Sequence, residues 1–371
     1  MHPLIRSPHI CNAVAHCALH IAESAPLQVG VGIKGAAQCL GHAIMTGIME
    51  HSNHVTVQVD FKNAFNTVCR AAMIKAVIKH APQLLRFVMW MYKHASPLWI
   101  AGSPDPIWSK RGVRQGDPLG PLLFALTLQD VLHAVAYWNE DVRVTGYLDD
   151  GFLQGTVNNL VNAYFDLESE SGKAGLFLQK DKCTAYSANE SNVKEFSRLV
   201  GCKASTDGIV AAGCPIGKPS FVTGEAIKSA NKVVALVQKL NDIELSAQDK
   251  LLLLRKSLQV KVSHLARCAE YEHIKQAMHM VEQAVMQATL QIVGRDESML
   301  DSEQLMLPLR KGGLGLQCLT ANDGLVCKAG FIAAAALTQE AMAAAPESLQ
   351  PFKGESGVLM QRVWEQISAT C

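Results

Sequence analysis

The chain has 371 residues, of which 49% are hydrophobic, and its formal net charge is +1. This length predicts two or three domains with sizeable cores, and the balanced charge alone indicates no class of partner. The 11 cysteines are odd in number, include no Cys-x-x-Cys pair and match the spacing of no common zinc module, which argues against a secreted protein and indicates buried, reduced thiols. We therefore expect an intracellular protein, nuclear or cytoplasmic and not secreted.

The amino terminus contains a short apolar stretch, Ile10 to Ala22. Histidines interrupt this stretch and it is too short to span a membrane, so an amphipathic core helix is a better interpretation than a signal peptide. The sequence contains no transmembrane segment, and we expect no membrane partner.

A glycine motif of the form Gly-x-Gly-x-x-Gly follows at Gly30 to Gly35. Ahead of a helix and of a strand that ends in an acid, such a motif is typical of dinucleotide-binding folds. However, the preceding segment, Ala25 to Val29, is short and contains a proline, which makes it a poor first strand. The dehydrogenase interpretation also leaves the later motifs unexplained, and a bare glycine motif is a weak signal.

The next element, His54 to Asp60, alternates between apolar and polar residues. Val55, Val57 and Val59 fall on one face, which predicts a half-buried strand whose last polar residue faces a cleft. Asp60 is therefore a candidate functional carboxylate.

Arg111 to Pro121 is a polar loop rich in glycine and proline, and it leads into a helical pattern, Leu122 to Gln129. Small residues in such a loop allow the backbone to lie close to a flat ligand, and the guanidinium groups of Arg111 and Arg114 can contact phosphates. Taken alone, this segment is only a well-formed helix start.

The segment Tyr147-Leu148-Asp149-Asp150-Gly151 lies between two apolar stretches. Because Asp-Gly favours the positive φ of tight turns, we expect a hairpin that turns across Asp149-Asp150-Gly151. Two adjacent carboxylates repel each other, and they stay ionised only beside a cation or in open water. Taken alone, the segment is a solvated hairpin. If folding brings Asp60 beside it, the three aspartates form a cage that holds two divalent cations.

Charge is segregated around these motifs. Acidic residues surround the hairpin, at Glu140, Asp141, Asp149, Asp150, Asp166, Glu168 and Glu170. Basic residues precede it, at Lys62, Arg70, Lys75, Lys79, Arg86, Lys93, Lys110, Arg111 and Arg114. A template groove beside a metal site has this arrangement, and so do solvated helix faces.

The second half of the chain has the periodicity of helices. The apolar pattern predicts three that pack as a small bundle, Ala226 to Leu240, Lys250 to Arg267 and Ile274 to Val293. Their basic residues either contact phosphates or are solvated, namely Lys250, Arg255, Lys256, Lys261 and Arg267. An alanine-rich stretch, Ala333 to Ala345, predicts a further helix of unknown role.

Together the motifs resemble, in order and spacing, those of reverse transcriptases, and most closely the enzymes of non-LTR retrotransposons. The matching segments are Asp60 to Asn66, Arg114 to Leu122, Tyr147 to Asp150, Gly175 to Lys182, Gly213 to Gly217 and Leu307 to Leu316. Several motifs that agree in order are far more specific than any one of them. The resemblance covers most of residues 1–320.

The resemblance implies an RNA-directed DNA polymerase that adds deoxynucleotides to a primer 3′-hydroxyl by a two-metal-ion mechanism. Asp60 and Asp149 would ligate two Mg²⁺ ions, with Mn²⁺ as a possible substitute, and Asp150 and the Phe61 carbonyl would be further metal ligands. Lys182 would protonate the leaving pyrophosphate, with an ordinary lysine in a charged surface turn as the alternative. The partners implied are an RNA template, a DNA primer and dNTPs.

The resemblance also implies binding residues. Phe65 would lie under the incoming sugar and exclude a ribose 2′-hydroxyl, although an ordinary core phenylalanine is the alternative. Arg114, Gln115 and Gly116 would border the nucleotide and template. The primer grip would consist of Gly213, Cys214, Pro215, Ile216 and Gly217.

The fold implied is α+β, a right-hand polymerase with an antiparallel-sheet palm. Partial fingers would occupy residues 1–54 and the palm 55–220, with a helical fingers-side insertion at about 71–110. The helical thumb would span 221–330, and 331–371 would be an extension of unknown role.

The chain departs from the family at its beginning, where His2 stands in place of an arginine before Pro3-Leu4. It also has less fingers sequence, and no endonuclease or zinc module, so we expect an amino-terminally truncated fragment. The alternative is a catalytically inactive nucleic-acid-binding remnant of such an element.

Overall fold

A computed structural model describes residues 27–33, 35–294, 305–317 and 319–343. The helix expected at Ile10 to Ala22, the departure at His2 and the end of the chain after 343 lie outside the described residues. With the gaps just given, the described residues form two compact units. The first comprises 27–40, 47–212 and 341–343, and the second comprises 41–46 and 213–340.

The first unit is built on a mixed sheet with helices packed on it. The strands of the whole unit are β1 (Val55–Asp60), β2 (Ser96–Leu98), β3 (Ile107–Ser109), β4 (Arg143–Tyr147), β5 (Asp150–Gly155), β6 (Thr184–Tyr186), β7 (Lys203–Ser205) and β8 (Gly208–Ala211). The helices up to β8 are α1 (Ala36–Glu50), α2 (Ala64–Thr67), α3 (Arg70–His80), α4 (Leu85–Tyr92), α5 (Gly120–Trp138), α6 (Val157–Lys173) and α7 (Glu190–Val200).

The main sheet has the strand order β4-β5-β1-β6-β7. Strand β1 pairs antiparallel with β5 and β6, and β4 pairs antiparallel with β5, whereas β6 and β7 are parallel. The alternation predicted for β1 is confirmed, because Val55, Val57 and Val59 are fully buried. Thr56, on the other face, is buried as well, and its hydroxyl accepts a hydrogen bond from Gln154 at 3.0 Å. The middle of the sheet is therefore covered on both faces.

Helix α5 is the most buried helix of this unit. Its sequence is apolar almost all round, and its buried side chains include Leu123, Phe124 and Leu128. A helix that is apolar on every side belongs inside a core, and α5 packs between α3 and α6. The loop that precedes it is thereby fixed to the core.

The insertion predicted to be helical over about 71–110 is helical only as far as Tyr92. The remainder is a hairpin of β2 and β3, in which Pro97 pairs with Trp108. Proline cannot continue a helix, and Pro97, Pro104 and Pro106 fall in this stretch, which explains the difference. The described tryptophans lie on the surface, with exposed fractions of 58% for Trp90, 70% for Trp99, 54% for Trp108 and 55% for Trp138.

The second unit is mostly helical. It contains β9 (Cys214–Gly217), α8 (Pro219–Asp242), α9 (Ala247–Leu253), α10 (Leu265–Cys268), α11 (Tyr271–Val293) and α12 (Ala321–Ala343). Helices α8 and α11 form its centre, with buried residues such as Ala230, Val233 and Ile274. Among the described helices, none has the length and apolar character needed to cross a bilayer.

Two helices of this unit differ from the sequence expectation. The helix predicted from Lys250 to Arg267 is divided into α9, a π-helical turn Leu254–Leu258, a 3₁₀ turn Gln259–Val262 and α10. Helix α12 begins at Ala321, well before the alanine-rich stretch that predicted it. It therefore runs across position 330, where the sequence division had separated thumb from extension. The assignment of fingers, palm, thumb and extension by residue range stays a prediction.

Candidate functional site

The predicted carboxylates lie at one end of the main sheet. Asp60 is the last residue of β1, and its Cα pairs directly with that of Asp150, the first residue of β5. Directly opposed residues of an antiparallel pair project their side chains to the same face. Asp149 precedes Asp150 in the turn between β4 and β5 and is exposed. Two distant segments thus bring three aspartates to one sheet edge, which we call the acidic edge.

The hairpin turns earlier than the Asp-Gly pair predicted. Tyr147 pairs with Asp150, so the turn consists of Leu148 and Asp149, and Asp150-Gly151 lies within β5. Leu148 has the positive φ, 52°, at a position where glycine is favoured. A leucine with this backbone conformation costs roughly 1–2 kcal/mol, so tertiary contacts must determine the turn.

The acidic edge carries like charges in close proximity. Partial burial and the neighbouring charges of Asp149 and Asp60 raise the pKa of Asp150, whereas a hydrogen bond from the Gln58 side chain opposes this rise. Among the described residues, Asp60 has an ion-pair partner in Lys182, whose Nζ lies 3.9 Å from Asp60 Oδ1. A single exposed lysine leaves most of the negative charge uncompensated.

The donor set of the acidic edge fits a hard divalent cation. Within the described ranges, no three His, Cys, Asp or Glu side chains are gathered so that they could hold a metal ion as they stand. The edge nonetheless offers carboxylate oxygens, the ligands that Mg²⁺ prefers, and a cation would relieve the repulsion that raises the pKa of Asp150.

Phe61 follows Asp60 and connects the edge to the loop that contains Lys182. Phe61 and Leu178 form an isolated antiparallel bridge, in which Lys62 N–H donates to Phe177 O at 2.8 Å and Gln179 N–H donates to Asp60 O at 2.8 Å. Because successive peptide groups of an extended chain alternate in direction, the Phe61 carbonyl points away from Leu178, towards the β5 side. The Phe61 ring is buried.

Phe65 lies one turn further on, in α2. Its ring is half-buried and stacks on the buried Phe124 of α5, with the ring centroids 4.5 Å apart. Its carbonyl accepts a hydrogen bond from Val113 N–H at 2.8 Å. One side of the ring is thus held in the core. This arrangement is compatible with a residue that lies under the incoming sugar and also with an ordinary core phenylalanine.

The loop before α5 presents Gln115 and Gly116 to solvent. Asp117 N–H donates to Arg114 O at 3.1 Å, which closes a turn with these two residues at its tip. Gly116 has a φ of 83°, as the third residue of a type II turn requires, and no atom lies near the position a Cβ would occupy. Glycine is therefore required at position 116 by the backbone conformation, and the tip formed by Gln115 and Gly116 is open to solvent.

Arg114 does not point its guanidinium into solvent. The Nη2 group donates to Met91 O and to Ser96 Oγ, and the guanidinium lies 5.4 Å from the centroid of the Tyr92 ring. Arg114 thus anchors the loop in this structure, and its role in phosphate binding stays a prediction.

Tyr92 is the centre of this anchor. Its hydroxyl donates to Asp117 Oδ2 and accepts from Arg114 N–H at 3.1 Å. Burial and the bond to Asp117 raise the pKa of Tyr92 far above its usual range, so the phenol stays protonated. Arg70 also contacts this ring, with its guanidinium carbon 5.3 Å from the centroid. We call this group of Arg70, Tyr92, Arg114 and Asp117 the tyrosine junction.

Arg70 was grouped by sequence with basic residues of a groove or a solvated face, and both interpretations are wrong for it. It is only 8% exposed, and its guanidinium donates to Gly112 O at 3.0 Å and to Ser109 O at 2.9 Å. A delocalised guanidinium can satisfy several carbonyls at once, which makes Arg70 a structural residue.

Comparisons with known proteins agree with this geometry. Residues 36–208 match the family described as reverse transcriptase (RNA-dependent DNA polymerase). Residues 36–208 thus resemble a reverse transcriptase domain. They include the acidic edge and the tyrosine junction, and they end within β8.

Curated proteins that are similar to this chain include proteins of non-LTR retrotransposons. The chain is 22% identical over 284 residues to the 132 kDa protein of the retrotransposable element SLACS of Trypanosoma brucei gambiense, covering 70% of this chain and 22% of that protein. It is 27% identical over 180 residues to the Pol polyprotein of a type-1 retrotransposable element R2 of Bradysia coprophila, covering 44% of this chain and 20% of that protein. The match thus spans about a fifth of the length of these relatives.

The fold is the α+β fold of right-hand polymerases. A telomerase from Candida albicans, solved in complex with a TWJ fragment of telomeric RNA, superposes with a TM-score of 0.51 at 12% identity, covering 97% of this chain and 58% of that one. At this identity the likeness shows the fold alone.

The segment predicted as a primer grip lies beyond the matched residues. Strands β8 and β9 form a hairpin that turns at Ala212 and Gly213. Cys214, Pro215 and Ile216 are buried, and Gly213 is exposed. This hairpin contains the boundary between the two units, and its role in gripping a primer stays a prediction.

Sequence reasoning missed Tyr92 and Gln28. The side chain of Gln28 accepts a hydrogen bond from Leu148 N–H at 2.7 Å and donates one to Leu148 O at 2.9 Å. The short segment Ala25 to Val29, dismissed as a poor strand, contains this residue. The signal available in the sequence was the alternation of Leu27, Gln28 and Val29, which places one polar side chain in an apolar context.

Proposed function

We propose that the protein is an RNA-directed DNA polymerase that adds dNTPs to a primer 3′-hydroxyl on an RNA template, as part of a non-LTR retrotransposon polyprotein. The observation that carries the proposal is the pairing of Asp60 with Asp150 beside Asp149, which gathers like charges at an open sheet edge. Structural carboxylates are normally paired with cations, whereas uncompensated ones mark functional sites.

The residues of the acidic edge would hold two Mg²⁺ ions, for which Mn²⁺ could substitute. Asp60 and Asp149 would be shared ligands, with Asp150 and the Phe61 carbonyl as further donors. When bound, such ions lower the pKa of a primer hydroxyl and neutralise the charge that develops on a triphosphate. The half-buried Asp60 and Asp150 are fixed by strand pairing, so they would need little reorganisation to bind a cation.

Lys182 is the residue best suited to donate a proton to pyrophosphate. Its ammonium group lies 3.9 Å from Asp60 Oδ1 and its side chain is 59% exposed, so it can turn towards a ligand at the acidic edge. The loop that carries it is tied to β1 by the hydrogen bond from Gln179 N–H to the Asp60 carbonyl at 2.8 Å. Proton transfer by a positioned lysine is general acid catalysis.

Phe65 would select deoxynucleotides. Its ring rests on Phe124, which prevents it from withdrawing when a bulkier sugar approaches. The exposed tip of Gln115 and Gly116 would contact the nucleotide and the template strand.

The test is primer extension on an RNA template with dNTPs and Mg²⁺. Asp60→Asn and Asp149→Ala should each lower incorporation by a factor on the order of 10³ without loss of folding, because the charge stabilisation of the transition state depends on both ions. The matched control is Asp105→Ala, which removes an exposed aspartate in the β2–β3 connection and should leave incorporation unchanged. Equal activity of Asp149→Ala and the wild type would refute the proposal.

A second candidate is the inactive nucleic-acid-binding remnant. It is favoured by the engagement of Arg114 within the protein, where the guanidinium donates to Met91 O and Ser96 Oγ. It predicts duplex binding of equal strength for the wild type and Asp149→Ala, with no incorporation by either.

A further inference from the structure

We propose that Gln28 is a positioning residue of the catalytic turn, and that its side chain holds Leu148 in the conformation that presents Asp149. This inference rests on the proposed function for its catalytic consequence. Its structural part concerns the turn alone and can be tested separately.

The turn is strained and needs an external support. Leu148 has a φ of 52°, which a leucine adopts only when its surroundings impose it. The next residue is the exposed Asp149, whose carboxylate direction follows from the backbone conformation of the turn. Relaxation of Leu148 to a negative φ would redirect Asp149.

The amide of Gln28 binds both main-chain polar groups of Leu148. Its Oε1 accepts from Leu148 N–H at 2.7 Å, and its Nε2 donates to Leu148 O at 2.9 Å. Oε1 also accepts from Gly30 N–H at 3.0 Å. A side chain that pairs with both groups of one residue fixes the orientation of that residue as a single bond cannot.

The main chain around Gln28 is itself fixed. Gln28 is fully buried, and its N–H donates to Gln129 Oε1 of α5 at 2.7 Å. On either side, Gly146 N–H donates to Leu27 O and Val29 N–H donates to Gly146 O, both at 2.7 Å. The turn is therefore connected to the buried helix α5 through a parallel bridge beside β4.

The close packing leaves no room for a different arrangement. A Cβ at Gly30 would lie 2.6 Å from Leu148 N, so Gly30 is required for the approach of this segment to the turn. The amide of Gln129 is also held, because its Nε2 lies 2.7 Å from His133 Nε2. The side chains of Gln129 and Gln28, which link α5 to Leu148, thus both have hydrogen-bond partners, as precise positioning of the turn requires.

The experiment uses the full chain and compares Gln28→Leu with a matched control, Gln154→Leu. Gln154 is also buried in the main sheet, and its Nε2 donates to Thr56 Oγ1 at 3.0 Å, at the opposite end of β5. Hydrogen exchange of the peptide that covers residues 146–151 is measured together with kcat and KM for dNTP.

Gln28→Leu should raise exchange at Leu148 by about 10- to 100-fold and lower kcat by a similar factor, with KM changed less than threefold. Gln154→Leu should change neither the hydrogen exchange at Leu148 nor kcat. A second variant, Gln28→Glu, should regain protection of Leu148 at acidic pH, where a protonated carboxyl offers one donor and one acceptor as the amide does.

Unchanged exchange of Leu148 in Gln28→Leu, or a loss of kcat no larger than that of Gln154→Leu, would overturn the inference. If the wild type shows no incorporation, the polymerase proposal fails and the exchange measurement still decides whether Gln28 holds the turn.

Discussion

The acidic edge and the tyrosine junction both contain aspartates close to a basic residue, but they differ in how these charged groups are hydrogen-bonded and paired. At the junction, the buried Arg70 donates hydrogen bonds to several carbonyls, and Asp117 accepts from Tyr92 and from Leu119 N–H at 3.0 Å. At the acidic edge, partial burial and the charges of Asp149 and Asp60 raise the pKa of Asp150, and among the described residues the exposed Lys182 is the one ion-pair partner of Asp60.

This difference separates charges that stabilise the fold from charges that do not. Satisfied charges in a protein interior hold segments together, whereas uncompensated charges reduce stability and persist for another reason. The comparison predicts that substitutions at the junction destabilise the protein and that a substitution at the edge stabilises it.

The largest effect on stability is expected for Arg70→Ala. This substitution leaves the carbonyls of Ser109, Gly112 and Arg111 without a buried donor and removes the stack on Tyr92, so the free energy of unfolding should fall by at least about 3 kcal/mol. Denaturant unfolding measures this change. The control is Arg111→Ala, an exposed neighbour, which should change stability by less than about 0.5 kcal/mol. Similar effects of the two substitutions would mean that the junction does not stabilise the fold.

A smaller effect is expected for Tyr92→Phe. Loss of the hydroxyl leaves Asp117 Oδ2 and Arg114 N–H without this partner, which should lower the free energy of unfolding by about 1–2 kcal/mol. Because Asp117 and Arg114 flank the tip at Gln115 and Gly116, KM for dNTP should rise while the acidic edge is unaffected. Tyr137→Phe, at a residue that is 78% exposed, is the control and should behave as the wild type.

The smallest effect on stability is expected for Asp150→Asn, which should raise the free energy of unfolding and not lower it. The raised pKa of Asp150 means that the folded protein binds a proton more tightly than the unfolded chain, so its ionisation reduces stability as pH rises through the folded pKa. At neutral pH and without divalent ions, Asp150→Asn should therefore be more stable, by less than about 1 kcal/mol because the site is partly solvated. The gain should disappear at acidic pH.

Addition of Mg²⁺ should reverse this order of stability, so that the wild type becomes more stable than Asp150→Asn. An ion that binds only the folded state stabilises the wild type by mass action, whereas the asparagine variant lacks one carboxylate ligand. Thermal unfolding with and without Mg²⁺ measures both effects. A variant that is less stable than the wild type in the absence of ions would contradict the comparison drawn above.

The sequence predicted much of the first unit because its signals are local. The alternation of Val55, Val57 and Val59 identified β1, and Pro121 with the apolar run after it identified the start of α5. The motif order then implied that Asp60 would meet the Asp149-Asp150 segment, and the register of β1 and β5 agrees with that.

Two of the failures share one physical cause, which is tertiary contact overriding local preference. The Asp-Gly rule placed the hairpin turn too late, because Gln28, distant in sequence, supports a positive φ at Leu148. The charge of Arg70 gave no sign of its burial, because its acceptors are main-chain carbonyls that every sequence possesses. The apolar spacing of Lys250 to Arg267 predicted one helix, and nothing in its sequence indicated the π-helical and 3₁₀ turns that divide it.

The surface position of Trp90, Trp99, Trp108 and Trp138 has a practical consequence for spectroscopy. Indoles already in contact with water emit at long wavelength in the native protein, so the emission of these four would shift little on denaturation. Circular dichroism of the helices would be the more sensitive optical probe of unfolding. Conversely, a change in native tryptophan emission would report events at the protein surface.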